Sequence, residues 1–219
     1  MDSASTPSPF VHDLLLLKSA EVSAACTATP PWVSLALNNS PWVVVRRTPA
    51  PDGKVAIGVR GNSRQQRWGG FSDLLAIVKV TRPNQLRSPL AEPNRRFLPV
   101  FQLLESVERQ LAAFNLDWGP CGSVGFELAT SLPVTHPESD LDLVIYAPER
   151  IERDFAQHIW NTMTMTPGKL DIRVETLHCG FSLCEYARGQ SSAILLRTPA
   201  GPRLGEDPWA WPRENGSWE

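Results

Sequence analysis

The stretch SDLDLVIYA, residues 139–147, constrains this chain more than any other. Its apolar run Leu143-Val144-Ile145 reads as a strand buried within a sheet. Side chains repeat every second position along a strand, so Asp140 and Asp142 share one face. Two acids in this place are either a turn pair at a strand end or oxygen ligands that hold cations against a phosphate.

The elements on either side narrow the choice. From residue 97 the apolar positions Phe97, Val100, Phe101, Leu104, Val107, Leu111 and Phe114 recur at three- and four-residue steps, which predicts an amphipathic helix. WGPCGSVGFELAT then reads as a short strand, a Gly-Ser turn and a short helix. Beyond the acidic strand, PERIERDFAQHIWNTM reads as a helix with Pro148 at its first position and Ile151, Phe155 and Ile159 as its apolar stripe. KLDIRVETL reads as a strand with Asp171, Arg173 and Glu175 on one face, FSLCEYARG as a helix ending at Gly189, and SSAILLRTPAGP as a last strand. The tail DPWAWPRENGSWE reads as an extended cover over the sheet.

The N-terminal part has a different texture. HDLLLLKS is a strand or a short helix. WVVVRR and KVAIGVRG flank the turn signal PAPDG and predict a β-hairpin. GNSRQQRWGGFS reads as a polar loop or helix start, DLLAIVKVTRP as a helix or strand, and the proline-punctuated RPNQLRSPLAEPN as a linker. The expectation is an α/β chain of the α+β kind: a small, basic, β-rich domain over 1–90 and a second domain over 97–219, with a mixed sheet and flanking helices.

Charge follows the same division. Residues 46–96 carry eleven Lys or Arg against Asp52, Asp73 and Glu92, whereas residues 111–219 carry fifteen acids against eight bases. Arginine, whose planar fork suits phosphate oxygens, dominates the basic part. A cleft between the two parts, with arginines facing carboxylates, would draw in a polyanion. Arg60, Arg64 and Arg67 are the candidate phosphate ligands, on one face if their segment is helical. No run approaches the ~20 apolar residues of a membrane span, and LLLL at 14–17 lacks the flanks of a secretion signal. The four cysteines form no paired C-x-x-C knuckles, so free thiols and a cytoplasmic location are expected. The basic part is too mixed with proline and apolar strands for a dedicated nucleic-acid arm.

The order helix, strand, Gly-Ser turn, helix, D-x-D strand, helix, acidic strand resembles the nucleotidyltransferase superfamily, with its polymerase-β-like fold. Gly122-Ser123, Asp140-x-Asp142 and Asp171 match its small-residue pair, its D-x-D and its third carboxylate. Glu175, on the same strand face, competes with Asp171 for the third place. The resemblance implies a site in which carboxylates hold two Mg²⁺ ions, with Mn²⁺ as an alternative, and the Gly-Ser turn receives a triphosphate. Hard oxygen ligands suit Mg²⁺, and two such ions clamp the attacking and leaving oxygens of an in-line displacement. Backbone N–H groups at a helix start and a serine hydroxyl suit phosphate.

Ser123 and Asp140 lie seventeen positions apart, so SLPVTHPE is an inserted loop. The stretch GSVGFELAT-LP-T--SDLDL, loop included, is similar to the malonate decarboxylase holo-acyl-carrier-protein synthases, the phosphoribosyl-dephospho-CoA transferases. HDLLLL, WVVVRR, IGVRGNSRQQR, LDIRVET and LLRTPAGPRLGEDPW agree with that family in order, over about residues 10–211. This resemblance implies transfer of a phosphoribosyl-dephospho-CoA group from triphosphoribosyl-dephospho-CoA to a serine of the apo acyl-carrier subunit of malonate decarboxylase, with release of pyrophosphate. The alternatives are a nucleotidyltransferase with another acceptor, such as an RNA end, a small alcohol or a different protein, and a catalytically silent binding module. His136 in the inserted loop is a weak candidate base, since metal ions or a carboxylate can activate the serine hydroxyl.

Overall fold

Leu14 to Leu17 form a strand flanked on both sides by other strands, which resolves the ambiguous run near the start. In the structure, a computed structural model that describes residues 8–24, 28–61, 63 and 65–210, the chain divides into two units, Met1–Leu86 and Arg87–Glu219. The first contains β1 (Leu14–Leu17), β2 (Ser23–Ala24), α1 (Pro31–Asn39), β3 (Trp42–Val45), β4 (Lys54–Arg60), β5 (Arg67–Asp73) and β6 (Ile77–Thr81). Its sheet is antiparallel throughout, in the order β2-β5-β4-β3-β1-β6. Val33 and Leu37 of α1 pack with Leu15, Val43, Val45, Val55, Ile57 and Val59 on one sheet face. Each fully buried aliphatic side chain of this kind contributes about 1.5–3 kcal/mol.

The predicted hairpin of β3 and β4 forms as expected. RWGGFSD is a strand, however, and not a loop or helix start. Gly69 and Gly70 carry no side chains, so the alternation that marks a strand is hidden there. Pairing with β4 along its whole length nevertheless fixes it, and Gly61 N–H closes the connection on Gln66 O at 2.9 Å. Arg60 and Arg67 thus come to one face as Cα partners across a hairpin, not as turns of a helix. Arg64, Cys26 and residues 211–219 of the tail lie outside the described residues.

Asp13, at the mouth of β1, is 1% exposed. Its Oδ2 accepts the Phe10 N–H at 2.8 Å, while Oδ1 is buried without a hydrogen bond. Burial pushes its pKa up from 3.8 to about 6, against the lowering effects of the Phe10 bond and of Arg82 and His12. Folding therefore favours the protonated form. The stability contributed by that proton is complete below about pH 3.8 and is lost as pH rises through about 6, a difference of about 3 kcal/mol. Asp13→Asn is expected to stabilise the chain by about 2–3 kcal/mol at pH 8 and by little at pH 4. Urea unfolding at the two pH values measures this, and an equal effect at both would exclude the buried charge as its cause.

The second unit contains α2 (Pro99–Leu111), β7 (Asp117–Pro120), α3 (Gly122–Thr130), β8 (Leu141–Tyr146), α4 (Arg153–Thr164), β9 (Leu170–Glu175), β10 (Gly180–Ser182), α5 (Leu183–Arg188), β11 (Ile194–Thr198) and β12 (Gly201–Gly205). Its mixed sheet runs β12-β11-β10-β9-β8-β7, with β8 and β9 parallel and the other pairs antiparallel. A parallel pair needs a long crossover, which α4 supplies. The fold class is α+β. Among the described residues no helix is long and apolar enough to cross a membrane.

Three local expectations in this unit are corrected. The helix after β8 starts at Arg153, so Pro148 lies outside it, and Ala156, Ile159 and Met163 form its buried stripe. Phe155 is 42% exposed and meets the Phe114 ring edge-on at 5.8 Å. Phe97 precedes α2 and is 68% exposed. The last predicted strand is a hairpin, because the chain reverses at Pro199-Ala200 and Gly201 adopts φ +115° to return as β12. Helix α5 does end at Gly189, in the left-handed conformation (φ +58°). Of the tail, Trp209 donates its indole N–H to Ala147 O at 2.9 Å and packs edge-on against Phe181 and Tyr186.

Candidate active site

The parallel pairing of β8 and β9 sets Asp142 directly beside Asp171 as Cα partners. On the opposite sheet face Leu141, Leu143, Ile145, Ile172 and Val174 are fully buried. That burial fixes the register, because a one-residue slip of either strand would turn its acid into the core. Glu175 shares the face of Asp171 but pairs with Tyr146, so it stands four residues, roughly 13 Å, along the strand. It is 4% exposed and covers Gly180, where a Cβ would lie 2.5 Å from its Oε1. Asp171, not Glu175, is therefore level with Asp142.

Asp140 stands just before β8. Its Oδ1 has no hydrogen bond and is inaccessible to solvent, although the carboxylate as a whole is 44% exposed and Lys169 Nζ lies 3.5 Å from that oxygen. Arg173 donates to Asp171 Oδ2 at 3.3 Å.

Helix α3 opens over Asp142. Cys121 N–H donates to Asp142 O at 2.9 Å, which continues the β7–β8 ladder by one rung. The chain then turns sharply at Gly122, whose φ of +60° suits glycine. A Cβ at Gly122 would fall 2.1 Å from Asp142 Oδ2, so the missing side chain makes room for that carboxylate. Cys121 takes the N-cap position, with no side-chain cap. Ser123 is half-buried within the first turn of the helix and makes no side-chain hydrogen bond among the described residues. Burial pushes the Cys121 thiol far up; Asp142 adds to this, Arg173 opposes it and Asp171 adds again. Cys121 is therefore a protonated packing group and no thiolate.

The structure thus brings Gly122, Asp142 and Asp171 together, with Ser123 and Asp140 on adjoining segments. Among the described residues no three His, Cys, Asp or Glu side chains close on one point as a metal cage would. The donors nonetheless suit a hard cation: carboxylate oxygens in register, an unbonded buried oxygen on Asp140, and a cradle that a Cβ would fill. His136 uses its backbone to close a turn with Ser139, as donor to Oγ at 2.9 Å and acceptor from N–H at 3.0 Å.

One feature of this region went unread in the sequence. Glu127, 5% exposed on α3, accepts from Arg95 Nε at 2.8 Å and Nη2 at 3.2 Å, from Val134 N–H at 2.8 Å, and from Thr135 N–H and Oγ1 at 2.7 and 2.8 Å. Arg95 also donates to Thr135 O at 2.7 Å. Burial raises the Glu127 pKa, but the bonds from Arg95 and Thr135 outweigh it and hold the carboxyl below its usual range. The inserted loop is thereby tied to α3 and to the segment before α2. The available signal was an acid at a position of α3 that the flanking Val124 and Leu128 mark as inward-facing.

Two family profiles match the chain. Residues 10–83 match the phosphoribosyl-dephospho-CoA transferase MdcG N-terminal domain, and residues 85–208 its C-terminal domain. A phosphoribosyl-dephospho-CoA transferase of Pseudomonas aeruginosa is 40% identical over 203 residues, covering 92% of this chain and 94% of that protein. Proteins of the same name from Pseudomonas putida strain GB-1 and Klebsiella pneumoniae strain 342 are 37% and 34% identical, covering 92% and 94% of this chain and 96% and 98% of their own. No solved structure matches. These relatives are transferases by name. The chain belongs to the phosphoribosyl-dephospho-CoA transferase family.

Proposed function

We propose that this chain transfers a phosphoribosyl-dephospho-CoA group from its triphosphate precursor to a serine of the apo acyl-carrier subunit of malonate decarboxylase. The serine Oγ–P bond forms at the α-phosphorus, the P–O bond to the β-phosphate breaks, pyrophosphate leaves, and the hydroxyl proton passes to solvent or to pyrophosphate. The observation that carries this reading is the register of Asp142 with Asp171 beneath the glycine-opened start of α3, in a chain matched to the family over both its domains.

Gly122 and Ser123 offer a helix-start N–H and a hydroxyl to phosphate oxygens. In the first unit Arg60 and Arg67, Cα partners at one hairpin end, offer positive charge to phosphate oxygens. Asp142 and Asp171, with Asp140, would hold Mg²⁺ or Mn²⁺ ions, which would neutralise charge at the reacting phosphorus. Cys121 and Cys179 are buried as thiols and not as a disulfide, which suits a reducing, cytoplasmic compartment.

The test supplies labelled precursor, Mg²⁺ and apo carrier. Label is expected on one carrier serine, with one pyrophosphate released per transfer. Asp140→Ala is expected to abolish transfer while thermal unfolding stays unchanged. Normal turnover by this variant would remove Asp140 from the site, and preferential labelling of RNA ends or small alcohols would replace the acceptor.

A further inference from the structure

The sheet of the first unit has a second face, opposite α1. Alternation along the strands places Arg60 and Gly58 of β4, Arg67 and Gly69 of β5, and Val44 of β3 on it, with Gly58 facing Gly69 and Arg60 facing Arg67. Arg46, which extends β3 by one residue (its N–H donates to Ala56 O at 2.9 Å), lays its side chain across this face. A Cβ at Gly58 would lie 3.3 Å from Arg46 Cδ, and a Cβ at Gly69 would lie 1.9 Å from its Nη1. The stem therefore crosses β4 over Gly58, and the guanidinium rests on β5 at Gly69. That is one side-chain repeat, roughly 7 Å along the strand, from Arg67.

Three arginines are thus gathered on one small area of half-buried sheet. Like charges directly opposite each other on neighbouring strands are unfavourable, and Arg60 and Arg67 occupy such a pair. Among the described strand residues the one acid on this face is Asp73, at the far end of β5, where Lys54 Nζ lies 3.6 Å from its Oδ1. Arg46 itself is exposed and has no ion-pair partner among the described residues. The two facing glycines leave the room in which this long side chain lies along the sheet, with its planar fork over Gly69.

We infer that Arg46, seated on the Gly58–Gly69 floor, is an anion-binding residue that joins Arg60 and Arg67 in taking a chain of phosphates along this sheet face. The inference rests on the transferase reading in one respect only, that the phosphates are those of the triphosphate precursor. The close grouping suits a compact polyphosphate better than an acidic protein surface, which would meet charges spread over a wider area.

The test uses the full chain and inorganic tripolyphosphate, followed by titration calorimetry. Arg46→Gln is expected to weaken binding about tenfold. Gly69→Ala is expected to do much the same while leaving every charge in place, because its methyl group displaces the guanidinium. The double variant is expected to bind no worse than either single one, since both remove the same contact. Arg46 is exposed, so Arg46→Gln leaves the fold intact and decides the matter even if Gly69→Ala unfolds. Absent binding by the unaltered chain, or unchanged binding by Arg46→Gln, overturns the inference. Weakening by Arg46→Gln but not by a folded Gly69→Ala removes the glycine floor from it. Weaker binding of apo carrier with tripolyphosphate binding unchanged would instead make this face a protein-docking surface. Arg46-dependent tripolyphosphate binding in a chain that transfers nothing to any acceptor would refute the transferase reading and leave this one standing.

Discussion

Glu127→Ala is expected to destabilise the second unit by about 3–5 kcal/mol, the range for removing one partner of a buried ion pair. Most of that loss comes from what stays behind. Arg95, 24% exposed, would keep its charge without its carboxylate, and the N–H groups of Val134 and Thr135 would lose their acceptor. Glu127→Gln keeps the shape and one acceptor oxygen, and is expected to cost less. The pH dependence is opposite to that of Asp13. A carboxyl held below its usual range stabilises the chain above its unfolded pKa, and that stability is lost as pH falls through the folded value. Denaturant unfolding of the variants at neutral and acidic pH measures both effects. A loss below 1 kcal/mol at neutral pH would show that the network does not hold the loop.

Gly122→Ala is expected to reduce transfer about a hundredfold while the chain stays folded. Alanine at φ +60° costs on the order of 1–3 kcal/mol. Its methyl group would also occupy the space of Asp142 Oδ2. The carboxylate must then swing aside, and a displacement of about 1 Å at a reacting centre can cost about 10²-fold. Single-turnover transfer, with circular dichroism as the folding control, checks this. Near-normal transfer by a folded variant would separate the position of Asp142 from the chemistry.

What could be read from the sequence depended on which side chains carried the pattern. The β8 strand, the α3 helix and the α5 stop at Gly189 were legible, because apolar periodicity and a glycine mark them. β5 was not, since Gly69 and Gly70 erase the alternation that partner strands impose from outside. The start of α4 was misplaced because Pro148 is an ordinary helix-start signal, and nothing local shows that the chain first bends to bury Ile151. In the candidate site, the place of Asp142 on a strand was legible from the apolar run beside it, whereas Asp140 stands just before that strand and not on it. The choice between Asp171 and Glu175 needed the interstrand register. The Glu127–Arg95 pair depends on segments 32 residues apart coming together, which no local pattern encodes.

The lone parallel pair in an otherwise antiparallel sheet carries a kinetic consequence. Hairpins such as β11–β12 can close early, because only a short loop must be ordered. Asp142 and Asp171 become neighbours only after the whole crossover through α4 has been closed, a non-local step of the kind that slows folding. A partly folded chain in which this crossover is still open therefore lacks the paired carboxylates, and if they serve the proposed transfer, activity is expected to return with closure of β8 on β9 rather than with the first appearance of secondary structure.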